Sequence, residues 1–211
     1  LALLALEPGE RVLLVGAGTG ADFPFLPAGV RVLATDLTPA MLERARALQQ
    51  ERGLANVSWR QGDAAPLPFA DGAFSVVNLA QVLEHLRDPD LLLEEINRVL
   101  RPGGHLVLST PNLCAWFNRV LVPFGVQPVF YESSTRSARA GAGPLRRFRA
   151  SDHPVGHVRL FTLSALEDLL SLYGFSVGAV RGSVFDEGLP RPALVIDRVF
   201  AHRPRLASII V

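Results

Sequence analysis

The order of apolar and amphipathic segments in this chain predicts an α/β fold with a doubly wound, mostly parallel sheet. Over the first half, short apolar runs of strand length alternate with longer segments of helical periodicity, and a glycine-rich stretch directly follows the first run. Such near-continuous apolar runs are typical of strands buried on both faces. The 211 residues, 49% of them hydrophobic, suffice for a full core. We therefore expect residues 1–211 to form a single domain.

Five strands and two helices are predicted before residue 111. The helix over Pro39–Arg52 begins with Thr38 as its N-cap and a proline at its first position, and Gly53 ends it. The next helix, Pro89–Leu100, is stopped by the turn Arg101–Gly104. In chain order, the predicted strands are Arg11–Val15, Val30–Thr35, Val57–Gln61, Phe74–Leu79 and His105–Thr110.

The regular alternation breaks after Pro111. Residues 112–158 are predicted to form an insertion within the domain, in which apolar side chains precede an arginine-rich stretch. As a whole, this insertion suits a lid over a large, apolar or anionic acceptor, whereas single arginines are more typical of a solvated loop. The apolar side chains are Trp116, Phe117, Val120, Leu121, Phe124 and Phe130, and the arginines are Arg136, Arg139, Arg146, Arg147 and Arg149.

Regular structure is expected again after Phe161. Ser164 begins a capping-box pattern, Ser-Ala-Leu-Glu, which predicts a helix that ends near Gly174. Two apolar segments after this helix, Phe175–Arg181 and Ala207–Val211, are predicted as the last strands.

Composition excludes several classes of function. The chain has no lysine, since all 21 basic residues are arginine. This rules out a phosphate-binding loop that ends in Gly-Lys-Ser/Thr, a Schiff-base or pyridoxal phosphate enzyme, and a dehydrogenase with a Tyr/Lys pair. The single cysteine, Cys114, excludes a disulfide framework and a multi-cysteine zinc site. The net charge of +1 gives no argument for nucleic acid, and no apolar run is long enough to span a membrane, so a cytoplasmic protein is expected by default.

A glycine-rich turn and two acids indicate a nucleotide site. Gly16 and Gly18 let the backbone come close to a ligand, and Asp36 closes the second strand 20 residues after Gly16, where a carboxylate can accept from both ribose hydroxyls. With Ala21, the same residues also fit a dinucleotide fingerprint. Asp63, after the third strand, can accept from an adenine amino group. Two acids and a glycine turn suit an adenosine that lacks a pyrophosphate, which is the shape of S-adenosylmethionine.

Six short motifs carry a resemblance to a known family. The chain resembles the class I S-adenosylmethionine-dependent methyltransferases, specifically the broad type 11 domain, over residues 11–110 and again over His157–Phe175. Each motif is weak alone, and their order along the chain makes the resemblance specific. The motifs are Val12–Gly20, Ala34–Leu42, Gln61–Ala64, Leu67–Val77, Val82–His85 and Arg98–Gly104.

The resemblance implies a Rossmann-like sheet of seven strands, the last antiparallel, in an enzyme that uses S-adenosylmethionine as its cofactor. By position, Gly16, Ala17 and Gly18 are expected to lie along the methionine part of the cofactor, and Asp36 to hold its ribose. The other expected contacts are Leu37 and Met41 beside the adenine, Asp63 and Ala64 at its edge, and the backbone of Leu79 and Ala80 at the methionine end.

Two alternatives stay open, one because of departures from the family pattern and the other because of the dinucleotide fingerprint. The family usually has an acid where Leu14 stands, which helps to orient the amino-acid part of the cofactor, and an aspartate where Ser75 stands. A non-catalytic relative that only binds the cofactor is therefore one alternative. A nicotinamide-dependent oxidoreductase is the other, although the missing lysine removes its commonest form. The tetrapeptide typical of base N-methylation is absent from Leu79–Val82, so nucleic acid is not the expected acceptor.

Two histidines are candidate catalytic residues for methyl transfer to a small molecule. The favoured acceptor atom is an oxygen, which usually must lose a proton. His85 follows the fourth strand, at the end of the sheet where such folds bind ligands, and His157 lies where the chain re-enters the fold after the insertion. The alternatives are helix capping or packing for His85 and loop anchoring for His157, and His153 is a further candidate.

No metal ligand is predicted. Some similar quinone-biosynthesis O-methyltransferases hold a divalent metal with the pattern Glu-x-x-Glu-His. In this chain Gln81 replaces the first of these glutamates, which leaves only Glu84 and His85. A hard cation prefers several oxygen ligands, so this incomplete pattern is weak support for a metal.

Overall fold

The chain forms two compact units in the computed structural model, which describes residues 6–148, 152–185 and 191–211 apart from the side chains of Arg147 and Phe148. The first unit comprises Leu1–Val82 and Asp88–Leu108, and the second comprises Leu83–Arg87 and Ser109–Val211. The single domain expected over residues 1–211 stays a prediction.

The strands form one seven-stranded sheet in the order β3-β2-β1-β4-β5-β7-β6. Strand β1 is parallel to β2 and β4, and β2 is parallel to β3, whereas β7 is antiparallel to β5 and β6. The predicted mostly parallel sheet with an antiparallel last strand is therefore confirmed. The strands are β1 Arg11–Val15, β2 Arg31–Asp36, β3 Val57–Gln61, β4 Phe74–Ala80, β5 Leu100–Pro111, β6 Gly182–Ser183 and β7 Ile209–Ile210.

Two helices of the first unit follow the predicted pattern. Helix α1 spans Pro39–Arg52 and ends at Gly53, which adopts the left-handed conformation at φ +65°. Thr38 is its N-cap by backbone conformation, but its side chain makes no capping hydrogen bond. Helix α2 spans Pro89–Val99, and the Asp88 carboxylate accepts from the Leu91 backbone N–H at its start.

The first unit is held by an apolar cluster that joins alternate positions of the central strands to the segments that cover them. Val12, Leu14 and Ala34 are essentially unexposed, and Phe23 packs on Trp59 with ring centroids 5.1 Å apart. Burying a valine, leucine or phenylalanine side chain contributes roughly 1.5–3 kcal/mol to the stability of the fold. The cluster comprises Val12, Leu14, Phe23, Leu26, Val30, Val32, Ala34, Ala45, Val57, Val76 and Val107.

The predicted boundary of the fifth strand is wrong. β5 begins at Leu100, five residues before the predicted His105. The glycine pair that was interpreted as a turn bends the strand instead, because Gly103 has φ +75° and Gly104 leaves room for the Ser75 carbonyl, which would lie 3.0 Å from a Cβ there.

The predicted cap of the helix near the C-terminus is also wrong. Helix α4 spans Leu163–Leu172, and its N-cap is Thr162 rather than Ser164. The Thr162 hydroxyl accepts from the Ala165 backbone N–H at 3.1 Å, which leaves Ser164 inside the first turn. Its predicted end near Gly174 is confirmed.

The last two strands are shorter than predicted and displaced. No strand forms over Phe175–Arg181; instead β6 is Gly182–Ser183, because pairing begins only where Arg181 and Val211 exchange backbone hydrogen bonds of 2.7 and 2.9 Å. Tight turns between Arg203 and Ala207 shorten the predicted Ala207–Val211 strand to Ile209–Ile210.

Two short helices lie in segments for which no helix was predicted. α3 spans Trp116–Leu121 within the insertion, and α5 spans Arg191–Phe200. Both are tied together by Asp197, a fully buried carboxylate of α5 that accepts from Trp116 Nε1 at 2.8 Å, from the Phe185 backbone N–H at 2.7 Å and from the Ser208 hydroxyl. A buried carboxylate requires such donors, and three different segments supply them.

Candidate functional site

The predicted glycine loop and the predicted ribose acid are in direct contact. The loop begins where β1 ends, and the register pairs Val15 with Thr35, so Asp36 reaches the loop from the adjacent strand. One Asp36 carboxylate oxygen accepts from the Gly18 backbone N–H and the other from the Thr38 backbone N–H, each at 2.8 Å. A carboxylate offers about four acceptor positions, so Asp36 keeps capacity for the hydroxyls of a ligand.

The other loop residues lie at the same edge of the sheet. The Ala17 backbone N–H donates to the Thr35 carbonyl at 2.8 Å, and a Cβ on Gly16 would meet Val82 Cγ2 at 2.5 Å. Ala80 ends β4, the neighbour of β1. The strand order reverses at β1, which has β2 on one side and β4 on the other. In such sheets, ligands usually bind in the crevice that the carboxyl ends of the strands form at this point.

Gln81, directly after Ala80, is a feature that sequence analysis missed. Its φ of +56° is the one positive value among the non-glycine residues of the described chain. A left-handed conformation costs an ordinary residue about 1–2 kcal/mol, and such strain is concentrated at functional sites. Nothing in the residue type signals it, because glutamine has no preference for this conformation.

The expected adenine contacts lie after β2 and after β3, and Met41 is in the first turn of α1. Leu37 and Met41 are apolar and yet 61% and 37% exposed. The Gly62 backbone N–H donates to the Asp36 carbonyl at 3.1 Å, which joins the loop after β3 to the end of β2. Asp63 is exposed and accepts from the Ala64 backbone N–H at 2.6 Å. The structure thus brings the loops after β1, β2 and β3 together at one edge.

Arg98 of α2 anchors the loop that follows β3. Its guanidinium donates to the Leu67 and Phe69 carbonyls, each at 2.8 Å, and pairs with Glu95 and Asp71. Glu95 also accepts from the Leu67 backbone N–H at 2.8 Å, and the hydrogen bond from Arg98 lowers the pKa of Glu95. Arg98 belongs to one of the motifs of the family resemblance, but no role was predicted for it, because its partners Leu67 and Phe69 lie about 30 residues away in the chain.

The two departures from the family pattern have structural counterparts. The Ser75 hydroxyl both accepts from the Arg11 backbone N–H and donates to the Arg11 carbonyl, at 3.0 and 3.1 Å, and so joins the starts of β4 and β1. Leu14 is 1% exposed and belongs to the apolar cluster. Its register partner on β4 is Asn78, whose side-chain amide donates to the Asp22 carboxylate at 2.9 Å.

A second group of polar side chains lies in the other unit, around a turn formed by Leu83–His85. Glu84 is fully buried, and one of its carboxylate oxygens accepts from the Thr110 hydroxyl at 3.1 Å. Burial raises the pKa of the Glu84 carboxyl to about 7. The other oxygen, Oε1, is buried without a hydrogen-bond partner, as is Arg159 Nε.

The two predicted catalytic histidines lie side by side in this unit. The rings of His85 and His157 have centroids 4.8 Å apart at an interplanar angle of 50°. The Glu84 carbonyl accepts from the Val158 backbone N–H at 2.9 Å, which holds the segment after His157 against the turn that carries His85. Burial lowers the pKa of His157.

Each ring is fixed by a backbone carbonyl. His85 Nδ1 lies 3.1 Å from the Gly156 carbonyl oxygen, and His157 Nδ1 lies 2.9 Å from the Phe130 carbonyl oxygen. Glu132, which sequence analysis did not single out, orders this segment by accepting from the Gly156 and His157 backbone N–H groups at 2.6 and 3.2 Å.

The insertion has an apolar core of its own. Phe117 and Phe130 are 4% and 6% exposed and pack edge to face, so these two side chains do not form the expected cover for an acceptor. Phe124 and Val120 are exposed, as are Arg136, Arg139 and Arg146. The side chain of Arg147 and the whole of Arg149 lie outside the described residues. The lid itself stays a prediction.

The remaining histidines, His153, His105 and His202, are exposed. Among the described residues, no helix has both the length and the apolar character needed to cross a membrane.

Sequence comparison relates the first half of the chain to proteins of known family. Residues 13–108 match the family model described as a methyltransferase domain. A demethylmenaquinone methyltransferase of Renibacterium salmoninarum is 39% identical over 103 residues, which are 48% of this chain and 41% of that protein. A ubiquinone/menaquinone biosynthesis C-methyltransferase UbiE of Teredinibacter turnerae is 38% identical over 111 residues, 50% of this chain and 45% of that protein. The chain thus spans less than half the length of these relatives.

Structural comparison extends the likeness over most of the chain. The YcgJ protein of Bacillus subtilis superposes with a TM-score of 0.62 and 26% identity, covering 85% of this chain and 66% of that one. The seven-stranded sheet and its strand order are therefore those of a known class of α/β protein.

Proposed function

We propose that this chain binds S-adenosylmethionine and transfers its methyl group to a small-molecule acceptor, since residues 13–108 match the model of a methyltransferase domain. When bound, S-adenosylmethionine supplies an electrophilic methyl carbon on a sulfonium, so the protein's own work is to orient both reactants, exclude water and receive a proton.

The contact between Gly18 and Asp36 is the observation that carries this proposal. It joins the loop that would follow the methionine part of the cofactor to the acid that would hold the ribose, with hydrogen bonds of 2.8 Å on both carboxylate oxygens. Exposed Leu37 and Met41 then offer apolar contact to an adenine. These hydrogen bonds hold the loop and the acid in position, and such preorganisation lowers the entropic cost of binding.

Asp22 is our candidate for the acid that the family carries at the position of Leu14. Leu14 and Asn78 are register partners on neighbouring parallel strands, so their side chains leave the sheet on the same face. Asn78 holds the Asp22 carboxylate by a 2.9 Å hydrogen bond. Asp22 thus supplies, from a different segment of the chain, the negative charge that Leu14 lacks. This charge can attract the ammonium group of the cofactor. This argues against the non-catalytic alternative.

His85 and His157 are the proposed acceptors of the substrate's proton. With each Nδ1 facing a carbonyl, which only accepts hydrogen bonds, the hydrogen sits on Nδ1 and a lone pair is left on Nε2. Such a lone pair can take the proton of a hydroxyl within hydrogen-bond reach. A hydroxyl oxygen is therefore the proposed acceptor atom.

Calorimetric titration tests the cofactor. Wild-type protein should bind S-adenosylmethionine and S-adenosylhomocysteine with micromolar affinity, of roughly −8 kcal/mol, and should not bind NAD or NADP. Asp36→Ala should lose at least tenfold in affinity for both ligands, since it removes the charge-assisted hydrogen bond that orders the glycine loop at Gly18 and the one that orders the start of α1 at Thr38. Glu43→Ala, which removes an exposed acid of α1, is the matched control and should bind as the wild type does.

Two outcomes would contradict the proposal. Binding of NAD in place of S-adenosylmethionine would favour the oxidoreductase alternative. Failure of a folded wild-type protein to bind any of the four ligands would mean that the site is degenerate. Asp22→Asn should weaken binding of S-adenosylmethionine but not of 5′-methylthioadenosine, which lacks the ammonium group; an equal loss for both ligands would refute the role given to Asp22.

A carbon acceptor is the second candidate, and the relative named as a C-methyltransferase favours it. Dihydroxynaphthalene offers both kinds of acceptor atom in one molecule. Incubation with S-adenosylmethionine that carries an isotope-labelled methyl group, followed by NMR, distinguishes a methyl ether from a ring methyl group. The ether is expected for the oxygen proposal. A product methylated on the ring carbon would refute the oxygen proposal in favour of methyl transfer to carbon. In that reaction, removal of the hydroxyl proton still activates the ring.

A further inference from the structure

Three potential metal ligands converge in the second unit. One ligand atom from each of Glu84, His85 and His157 lies within 4.8 Å of the other two. In a tetrahedral site with metal–ligand distances of 2.0–2.2 Å, ligand atoms are about 3.3–3.6 Å apart. The three donors therefore need to approach by little more than 1 Å, roughly the movement that a small side-chain rotation provides.

The two imidazoles share a hydrogen-bonding arrangement that is common among metal-ligating histidines. The Gly156 carbonyl oxygen faces His85 Nδ1 at 3.1 Å, and the Phe130 carbonyl oxygen faces His157 Nδ1 at 2.9 Å. Carbonyl groups in this position fix the tautomer and the ring plane of metal-binding histidines and leave Nε2 as a donor of electron density. Two rings 4.8 Å apart both carry this arrangement.

The carboxylate supplies an independent observation. Glu84 is fully buried, its Oε2 accepts from Thr110, and its Oε1 has no hydrogen-bond partner. A buried, unsatisfied carboxylate oxygen is costly, and native proteins leave few of them without an ion, water or donor. Thr110 holds the coordinated carboxylate as an outer partner, as the two carbonyls hold the rings.

We propose that Glu84, His85 and His157 bind one divalent first-row transition-metal ion. Two imidazole nitrogens and one carboxylate oxygen are the donor set of Zn(II), Fe(II) and related ions, whereas Mg(II) and Ca(II) prefer oxygen ligands alone. The sequence did not predict this site, because His157 lies 72 residues after His85 and completes a ligand set that is different from the incomplete Glu-x-x-Glu-His pattern.

Three protein ligands leave at least one coordination position open, which is typical of catalytic rather than structural ions. A hydroxyl or enol oxygen of an acceptor can occupy that position and lose its proton to water more readily, because the cation stabilises the oxyanion. In this state the two histidines hold the ion and do not take the proton themselves. This use of the ion rests on the proposed function, whereas binding of the ion does not.

Titration with Co(II) tests the site. Tag-free protein treated with chelator should take up one equivalent of Co(II) and develop visible ligand-field absorption, and Zn(II) should displace it. His157→Ala, His85→Ala and Glu84→Gln should each weaken Co(II) binding at least about tenfold. His105→Ala, which removes an exposed histidine of β5, should bind as the wild type does.

A thermal shift separates loss of binding from loss of folding. Zn(II) should raise the melting temperature of the wild type and of His105→Ala, but not that of any folded ligand variant. Absence of Co(II) absorption in the wild type, or equal binding by wild type and His157→Ala, would overturn the proposal. Cofactor titration with metal-free protein reports on the proposed function separately, so either can fail without the other.

Discussion

Replacing Gly20 with alanine should destabilise the first unit far more than the same change at Gly18. Both glycines lie in the loop after β1 and have positive φ, +87° and +53° respectively. A Cβ on Gly18 would meet no atom within 4 Å, whereas one on Gly20 would lie 2.5, 2.8 and 2.9 Å from three ring carbons of Phe23. Phe23 is 1% exposed and packs on Trp59, so its ring cannot move aside without disturbing the core.

The expected losses of stability follow from the backbone strain at a positive φ and from the close contact with the Phe23 ring. An alanine in the left-handed region costs about 1–2 kcal/mol, and the lower entropy of the unfolded chain offsets about 0.4–1 kcal/mol. Gly18→Ala should therefore lower the free energy of unfolding by roughly 1 kcal/mol. Gly20→Ala adds overpacking of about 1–3 kcal/mol, for a total of roughly 2–4 kcal/mol. In a chain of this size these losses correspond to melting temperatures lower by roughly 2–4 °C and 4–16 °C.

Calorimetry and urea unfolding of both variants provide the assay, and Phe23→Leu provides the mechanism test. Because a leucine at position 23 relieves the contact, the double variant Gly20→Ala/Phe23→Leu should be more stable than the two single losses predict, by at least about 1 kcal/mol. Gly18→Ala should show no such coupling with Phe23→Leu. Equal losses at the two glycines, or no coupling at Gly20, would refute the argument that a buried ring requires glycine there.

Two further predictions concern buried or partly buried acids. Glu95→Gln should lower stability by about 1–2 kcal/mol at pH 7, because it weakens the ion pair with Arg98 that anchors the loop after β3. Because the pKa of Glu95 is lowered in the folded state, its contribution to stability is present above the ordinary carboxyl pKa of about 4.3 and is lost as pH falls through the lower folded value. In chemical unfolding, the free energies of unfolding of the wild type and Glu95→Gln should therefore converge toward pH 3. A difference that stays constant with pH would contradict this. Asp197→Asn should cost roughly 2–5 kcal/mol, because an amide cannot accept from all three of its donors, while Trp116→Phe, which removes one of them, should cost roughly half as much; equal melting temperatures for Asp197→Asn and the wild type would contradict this role.

The first half of the chain was largely predictable because its signals are local. The bounds of β1, β3 and α1 were predicted without error, since apolar runs, a proline at a helix start and a glycine at a helix end act within a few residues. The glycine loop and Asp36 were expected at one ligand site for the same reason, because parallel strands bring successive carboxyl ends to one edge, whereas the direct Gly18–Asp36 hydrogen bond was not predicted.

The second half was harder because its structure depends on distant partners. Helix α5 was not predicted. Its position is supported by distant partners, because Asp197 within it accepts hydrogen bonds from Trp116, Phe185 and Ser208, up to 81 residues away in the chain. No strand forms over the expected Phe175–Arg181, and β6 lies instead at Gly182–Ser183, because its pairing depends on the position of β7. Propensity cannot report such pairing.

The sequence alone determined the class of fold, the glycine loop and the acids at the carboxyl edge, since these follow from periodicity and from the backbone freedom of a few residues. Only the tertiary structure showed that Asp22 is hydrogen-bonded to Asn78, the register partner of Leu14, and that one ligand atom from each of Glu84, His85 and His157 lies within 4.8 Å of the other two. Both arrangements depend on side-chain orientation across separate segments, which packing decides and which spacing along the chain does not record.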